Sequence, residues 1–391
     1  MIRGIRGVCG ALACASLLVG LAAFSGSQPT LDDAAKSSAG DPALETPAQK
    51  SVAESETRDA PAPSPYRFVK TFDMQSFRRG NIHTHTNRSD GDSSPGAVYA
   101  WYRDHGYDFV IVTDHNKFTN PDEWRSVETP SFAIIGGEEI TMRGAGRQVH
   151  VNALCTRQRL SGGRFATAAA ALSHGVGGAR RAGAVALINH PNFNWGLQFS
   201  DLSAAAGANL IEIESGHPSV HTEGDRLHPS HEDLWDASLT AGLDFMGVAV
   251  DDAHHFKHGR EAPGKAWVEV SAETLDETSI CSALESGLLY ASTGAKLRRI
   301  AVQEDTYTVW PDEEGSEVTF VGACGRELAR TTLVPGEPSI SYRLTGSEGY
   351  VRARIRTPAG KLAFTPPVRV STETRTLPVA HVAETASRPP G

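Results

Sequence analysis

Between about residues 66 and 295, short apolar runs alternate with stretches of helical period. Runs at 80–85, 108–113, 132–140, 148–154, 184–189, 209–214 and 245–250 have strand length and are bounded by turn residues. Helical spacing of apolar positions falls at 95–105, 164–181, 232–241 and 275–286. Strands that recur with helices between them predict an α/β fold with mainly parallel pairing. In such folds chemistry collects at the carboxyl ends of the strands. From about 297 the period becomes two, in segments at 297–302, 317–321, 339–344 and 350–356. Within the last of these, Val351, Ala353 and Ile355 share one face, and Arg352, Arg354 and Arg356 the other. The expected layout is an α/β region at 66–296 followed by a small antiparallel β-sandwich at 297–375.

The two ends of the chain carry different patterns. Arg3 and Arg6, an apolar stretch at 10–24 and small residues at 23–25 read as a secretory signal over 1–26. Export to a periplasmic or extracellular space is the expectation. Residues 27–65, rich in Ala, Ser, Pro, Asp and Glu, are too poor in branched and aromatic side chains to offset ordering entropy, and read as a linker. Residues 376–391 form a similar tail. The 391-residue chain carries 37 Lys and Arg against 46 Asp and Glu, a net charge of −9, and so lacks the basic face that nucleic acid requires. A transporter is excluded by the single long apolar run, and beyond that signal segment no membrane contact is expected. Outside the signal, Cys155, Cys281 and Cys324 contain no CxxC pair. They allow at most one disulfide among themselves, and spacing does not choose which.

Fourteen of fifteen histidines lie between 83 and 258. Random placement of fifteen histidines yields about 0.6 HxH pairs, so His83-Thr84-His85 alone carries little weight. Its context carries more. His83 and His85 end the first run, two apart and therefore on one side. Asp90 follows in a turn, His115 ends the second run, and Glu138-Glu139 the third. His150 lies in the fourth, His190 ends the fifth, and Asp251-Asp252-Ala253-His254 the seventh. Six of seven runs thus deliver an imidazole or carboxylate to the edge where α/β sites form, and these are the donors that Zn, Mn or Fe accept. Burying so many ionisable groups without a counter-ion would be costly.

The segments GNIHTHTNRSDGDSSP, GYDFVIVTDHN, GGEEIT, HVNAL, INHP and DDAHHF, in this order, resemble the motifs of the polymerase and histidinol phosphatase (PHP) superfamily. The resemblance covers about 78–295. LWDASLTAGLDFMGVAVDDAHHF and GLLYASTGAK are similar to its CehA/McbA metallohydrolase branch. It implies a distorted (β/α)7 barrel holding two or three divalent ions. One ion would take His83, His85, Glu139 and Asp252. A second would take Asp90, His115 and His254, and a third Glu139, His150 and His190. The doubled residues leave Glu138 open beside Glu139, Asp251 beside Asp252 and His255 beside His254, because strand register decides which one points inward. His115, Asp252 and His254 are the candidates for catalysis.

Such a centre has a net charge of about +3, or about +2 with a bridging hydroxide, which matches a phosphate dianion. The leading expectation is a metal-dependent phosphoesterase acting on a small anionic ester. No GxSxG and no P-loop sequence is present to suggest another nucleophile or an NTPase. A carbamate or carboxylic ester hydrolase of the carbaryl-hydrolase type is the alternative, separated by whether the pocket offers cations (Lys117, Arg260, Lys265) or apolar surface (Phe193, Trp195). A metal-loaded cell-surface binding module is the third reading. Asn116, Lys117, Asn192, Arg260 and Lys265 are candidate substrate contacts by position. His217, His221, His228 and His231 fall in a long loop after the sixth run, as a lid or a surface insertion.

Overall fold

The computed structural model describes residues 67–68 and 71–371, so the expected signal, linker and tail lie outside the described residues. Two short strands open the fold, β1 (Arg67–Phe68) and β2 (Phe72–Met74). The α/β region follows with β3 (Phe77–Asn81), β4 (Phe109–Ile111), β5 (Ala133–Ile135), β6 (Gly137–Gly144), β7 (Arg147–Leu154) and β8 (Gly163–Phe165). It continues with β9 (Val185–Ile188), β10 (Leu210–Ser215), β11 (Met246–Val250), β12 (Trp267–Ser271) and β13 (Leu289–Ser292). Its helices are α1 (Pro95–Asp104), α2 (Ala168–Arg181), α3 (Phe199–Leu202), α4 (His231–Thr240) and α5 (Glu277–Ser286). Among the described residues no helix is long and apolar enough to cross a membrane.

The run expected at 132–140 is two strands, divided at Gly136. A Cβ there would lie 2.4 Å from the Thr156 carbonyl, and one at Gly137 would lie 2.4 Å from Ile111, so only glycine lets the chain pass between its neighbours. The helix expected from 164 starts at Ala168, because Thr167 caps it by accepting from the Ala170 amide at 3.0 Å. Residues 163–165 pair with β6 instead. His231 begins α4 instead of lying in a loop, since Ser230 and Asp233 form a capping box.

Pairing is mixed, not mainly parallel. β3, β4 and β5 are parallel, as are β9, β10 and β11. β6 and β7, however, run antiparallel through the two-residue turn Ala145-Gly146, both residues at positive φ, and β7 pairs antiparallel with β9. A two-residue link leaves no room for a crossover. The strands lie in two sheets linked by two isolated parallel bridges, Thr84 with Ala253 and His115 with Glu139. Both bridges join site residues or their immediate neighbours.

Beneath these ends lies an apolar layer that includes Ile82, Ile111, Leu154, Leu187, Val248 and Val250, closed off by Ile280 and Leu284 of α5. The disulfide Cys155–Cys281 ties the end of β7 to the same helix.

The remaining strands are β14 (Leu297–Gln303), β15 (Thr306–Pro311), β16 (Glu317–Gly322), β17 (Arg326–Thr332), β18 (Ile340–Arg343), β19 (Gly349–Arg356), β20 (Leu362–Phe364) and β21 (Val368–Ser371). They pair antiparallel and bury a second apolar cluster. β2 joins β14, and β1 joins β21, so the first strands complete the last sheets. β20 also pairs with β13, which makes one sheet continuous from β21 to β5. Alternation in β19 holds for Val351, Ala353 and Ile355, all buried, but Arg352 on the other face is fully buried too. Its guanidinium bonds Asp236 and Glu232 of α4, so this face packs on the α/β region instead of meeting water.

Candidate metal centre

Past β3 the chain stays extended without full pairing. The Asn81 side chain accepts from the His83 amide at 3.1 Å and donates to the Ala266 carbonyl. His83 and His85 then project together, as period two requires, and both are fully buried. Their Nε2 atoms face the same two carboxylate oxygens. His83 lies 3.3 Å from Glu139 Oε2 and 3.2 Å from Asp252 Oδ1, and His85 lies 3.2 Å from each. A tetrahedral ion with ligands at about 2.0–2.1 Å has edges of about 3.3–3.4 Å. These four contacts come near that edge length, with His83, His85 and Glu139 as one group and Asp252 beside His83 and His190 as another, and His85 Nε2 has no hydrogen-bond partner.

The other oxygen of Glu139 serves a second group. Oε1 is 2.8 Å from His150 Nδ1 and 3.3 Å from His190 Nε2, and these two nitrogens are 3.3 Å apart. His150 Nε2 is buried without a partner. Toward solvent, Asp90 gathers a third group. Its oxygens lie 3.4 Å from His115 Nε2, 3.5 Å from His254 Nε2 and 3.6 Å from His85 Nδ1. Among the described residues, donor groups of this kind are capable of coordinating divalent ions.

Register resolves the doubled residues. Glu139 faces the cluster, while Glu138 turns away and accepts from the Leu160 amide at 2.7 Å. Asp251 accepts from the amides of Gly264, Lys265 and Ala266 and from the Tyr102 hydroxyl, holding the following loop. Asp252 alone of that pair enters the cluster, from a left-handed backbone at φ 48° that favours glycine and costs strain for aspartate. His254 joins Asp90, whereas His255 pairs with Glu261 at 3.3 Å.

The electrostatics are those of an anionic pocket that attracts positive charge. Burial alone would raise Glu139, but His115, His150 and His83 hold it well below the usual carboxylate range. Asp252 is held down in the same way by His83, His85 and His254. Burial opposes protonation of His83, yet Asp252, Glu139 and Glu212 lift it well above ordinary imidazole. His150 goes the other way, to about 4, because burial dominates. Burial and the neighbouring His85 bring His254 to about 4 as well.

Several supporting residues were not singled out in the sequence. Glu212 accepts from His83 Nδ1 at 2.6 Å and from the His190 amide at 2.8 Å. It fills the one strand position that had no assigned donor, and a carboxylate flanked by isoleucines in the run LIEIES was its signal. Asn189 donates to Glu139 Oε1 at 2.8 Å, and the Thr141 hydroxyl meets His115 Nδ1 at 2.7 Å. Such partners fix the tautomer and tilt of each imidazole.

Above the cluster opens a cavity of about 550 Å³. Its upper wall is formed by Arg143, Gln148, Phe193, His217, Ser219 and Glu261. None of the five expected substrate contacts lines it. Asn116 exchanges hydrogen bonds with the Thr141 backbone, and Asn192 donates to the carbonyls of His221 and Pro229. Lys265 donates to the carbonyls of Gly216 and Arg260, which closes the loop that holds both cations, and Lys117 is exposed. Proximity in sequence to a histidine did not carry over to the cavity. Of the loop histidines, His217 lines it, while His221 and His228 stack on Trp195.

No family model matches the chain, and no curated protein does. Solved structures resemble it at low identity. A two-domain protein from Bacteroides vulgatus, containing a predicted PHP-like metal-dependent phosphoesterase, is 14% identical with a TM-score of 0.41, covering 79% of this chain and 97% of its own. A protein from Bifidobacterium adolescentis, assigned by inference as a metal-dependent phosphoesterase, is 16% identical with a TM-score of 0.36, covering 52% and 95%. An amidohydrolase from Chromobacterium violaceum is 16% identical with a TM-score of 0.31, covering 46% and 88%.

Proposed function

We propose that the protein is an exported, divalent-metal-dependent hydrolase of the PHP type, built on a (β/α)7-like barrel with a β-sandwich behind it, and that it cleaves phosphoesters. The observation that carries this reading is the bridging position of Glu139. Its Oε2 faces His83, His85 and His115 and its Oε1 faces His150 and His190, and His85 Nε2 is buried in the first group without a hydrogen-bond partner. In this reading His83, His85, Glu139 and Asp252 hold one ion, Glu139, His150 and His190 another, and Asp90, His115 and His254 a third. Bound there, Zn, Mn or Fe would lower the pKa of water and polarise the ester oxygen. The protein's own part is orientation. Glu212, Asn189 and Thr141 fix the ligands, and the apolar layer below confines water to the cavity side.

The charge such a centre would carry, about +2 with a bridging hydroxide, favours a phosphate dianion over a neutral carbamate or carboxylic ester. The disulfide Cys155–Cys281 favours an oxidising compartment. The test is p-nitrophenol release from a phosphomonoester, a phosphodiester and a carboxylic ester by protein reconstituted with Mn²⁺ or Zn²⁺, beside His83→Ala. Turnover of a phosphate ester that the variant loses is expected. Turnover of the carboxylic ester alone would replace the phosphoesterase with the carbaryl-hydrolase type, and no turnover at all would remove the enzyme reading.

A further inference from the structure

β6 and β7 continue past the cluster toward solvent in register, with Thr141 opposite His150 and Arg143 opposite Gln148. Side chains two apart share a face, about 7 Å per step, so Glu139, Thr141 and Arg143 form one column and His150 and Gln148 the facing one. The lower rungs belong to the candidate metal centre. The upper rung does not, yet both of its side chains line the cavity.

Arg143 is the one arginine or lysine among the residues that line the cavity, and it is exposed. Its neighbour Arg147 is neutralised by Asp201 at 2.9 Å. Among the described residues no carboxylate pairs with Arg143. In the same cavity lining, Phe193 offers a half-buried aromatic ring set against His190, His150 and His217. The cavity therefore has a cation-binding floor, a flat apolar side, and a guanidinium with an amide at its lip.

We propose that Arg143, with Gln148, selects substrates carrying a second anionic group, a carboxylate or phosphate, about one ring's length from the scissile ester. A guanidinium takes such a group through two parallel hydrogen bonds, while Phe193 receives the body that joins the two ends. The inference rests on the proposed hydrolase only in placing the first anion over the ions.

The test is calorimetric binding to the full, metal-reconstituted protein of two matched pairs, phenylphosphonate with 4-carboxyphenylphosphonate and benzoate with terephthalate. The carboxylated member of at least one pair binds roughly tenfold more tightly, the worth of one charge-assisted contact. Arg143→Met brings that member to within about twofold of its parent and leaves the parent's affinity unchanged, which a merely structural role for Arg143 would not do. Arg143→Lys keeps the charge without the fork and falls between. Equal affinities within both pairs, an advantage that survives Arg143→Met, or no binding of any of the four would overturn the proposal. Failure of the hydrolase reading looks different, because the preference persists while no ester is turned over.

Discussion

The molecule buries ionic groups in two places, and they are built in opposite ways. At the seam between α4 and β19, Arg352 is fully buried, and its Nε and Nη2 meet both oxygens of Asp236 and one of Glu232 at 2.6–2.8 Å. Tyr350 adds a hydroxyl to Asp236 at 2.7 Å, and the guanidinium lies over Trp235. Positive and negative charge are supplied by the chain itself. In the candidate metal centre the chain supplies carboxylates and imidazoles but neither lysine nor arginine. A buried cluster that balances its own charge serves the fold. One that supplies only ligands is shaped for something that arrives later.

The largest effect should separate the two clusters by function. Glu139→Gln keeps the shape of the bridging side chain and removes its charge, so it should cost on the order of 10³-fold in turnover. Turnover within tenfold of wild type would break the contrast at its functional side.

Arg352→Met tests the other side. It strands Asp236 beneath the β region, while Glu232 keeps Arg354 at 3.0 Å, and removing one partner of a buried pair typically costs about 3–5 kcal/mol. Chemical denaturation should show that loss while kcat of the folded protein stays unchanged. A variant of full stability would mean that the seam is wetter than its burial indicates.

How much of this contrast the sequence revealed depends on range. Period two in β19 was legible from Val351, Ala353 and Ile355, but alternation says nothing about what covers the second face, and Arg352 was assigned there only as a polar residue. The clustering of these side chains was legible because short runs fix which side chains leave a strand together. The choice of Glu139 over Glu138, or Asp252 over Asp251, depended on register against β7 and on the left-handed turn at Asp252, which only the assembled chain defines. Substrate contacts were the least legible. Asn116 and Asn192 follow histidines of the centre, but local backbone groups claim their side chains, while Arg143 reaches the cavity along a strand whose length was underestimated.

Glu212→Gln sharpens the comparison further. Glu212 supports His83 and His190 without facing the cavity, so its loss should weaken Zn²⁺ or Mn²⁺ affinity about 10–100-fold, the usual cost of an outer partner. Calorimetric titration of metal reads this directly, and excess metal should restore most of the turnover. Loss of turnover that excess metal does not restore would place Glu212 in contact with the reaction itself.

Glu138→Gln should have the smallest effect, and it isolates burial from ligation within one dipeptide. Burial pushes the Glu138 carboxyl up to about 7, against an ordinary 4.5, with one oxygen held by the Leu160 amide and the other unpartnered. A carboxyl whose folded pKa is raised stabilises the fold most below its unfolded pKa, and loses that contribution as pH rises through the folded value. Wild type should therefore lose on the order of 1 kcal/mol between pH 5 and pH 7 from this group, and the Gln variant should show a flatter profile. Turnover should stay within about twofold, since the side chain points away from the cluster. A flat wild-type profile would mean that Glu138 reaches water. A large loss of turnover would mean that the two adjacent glutamates share the work assigned here to Glu139 alone.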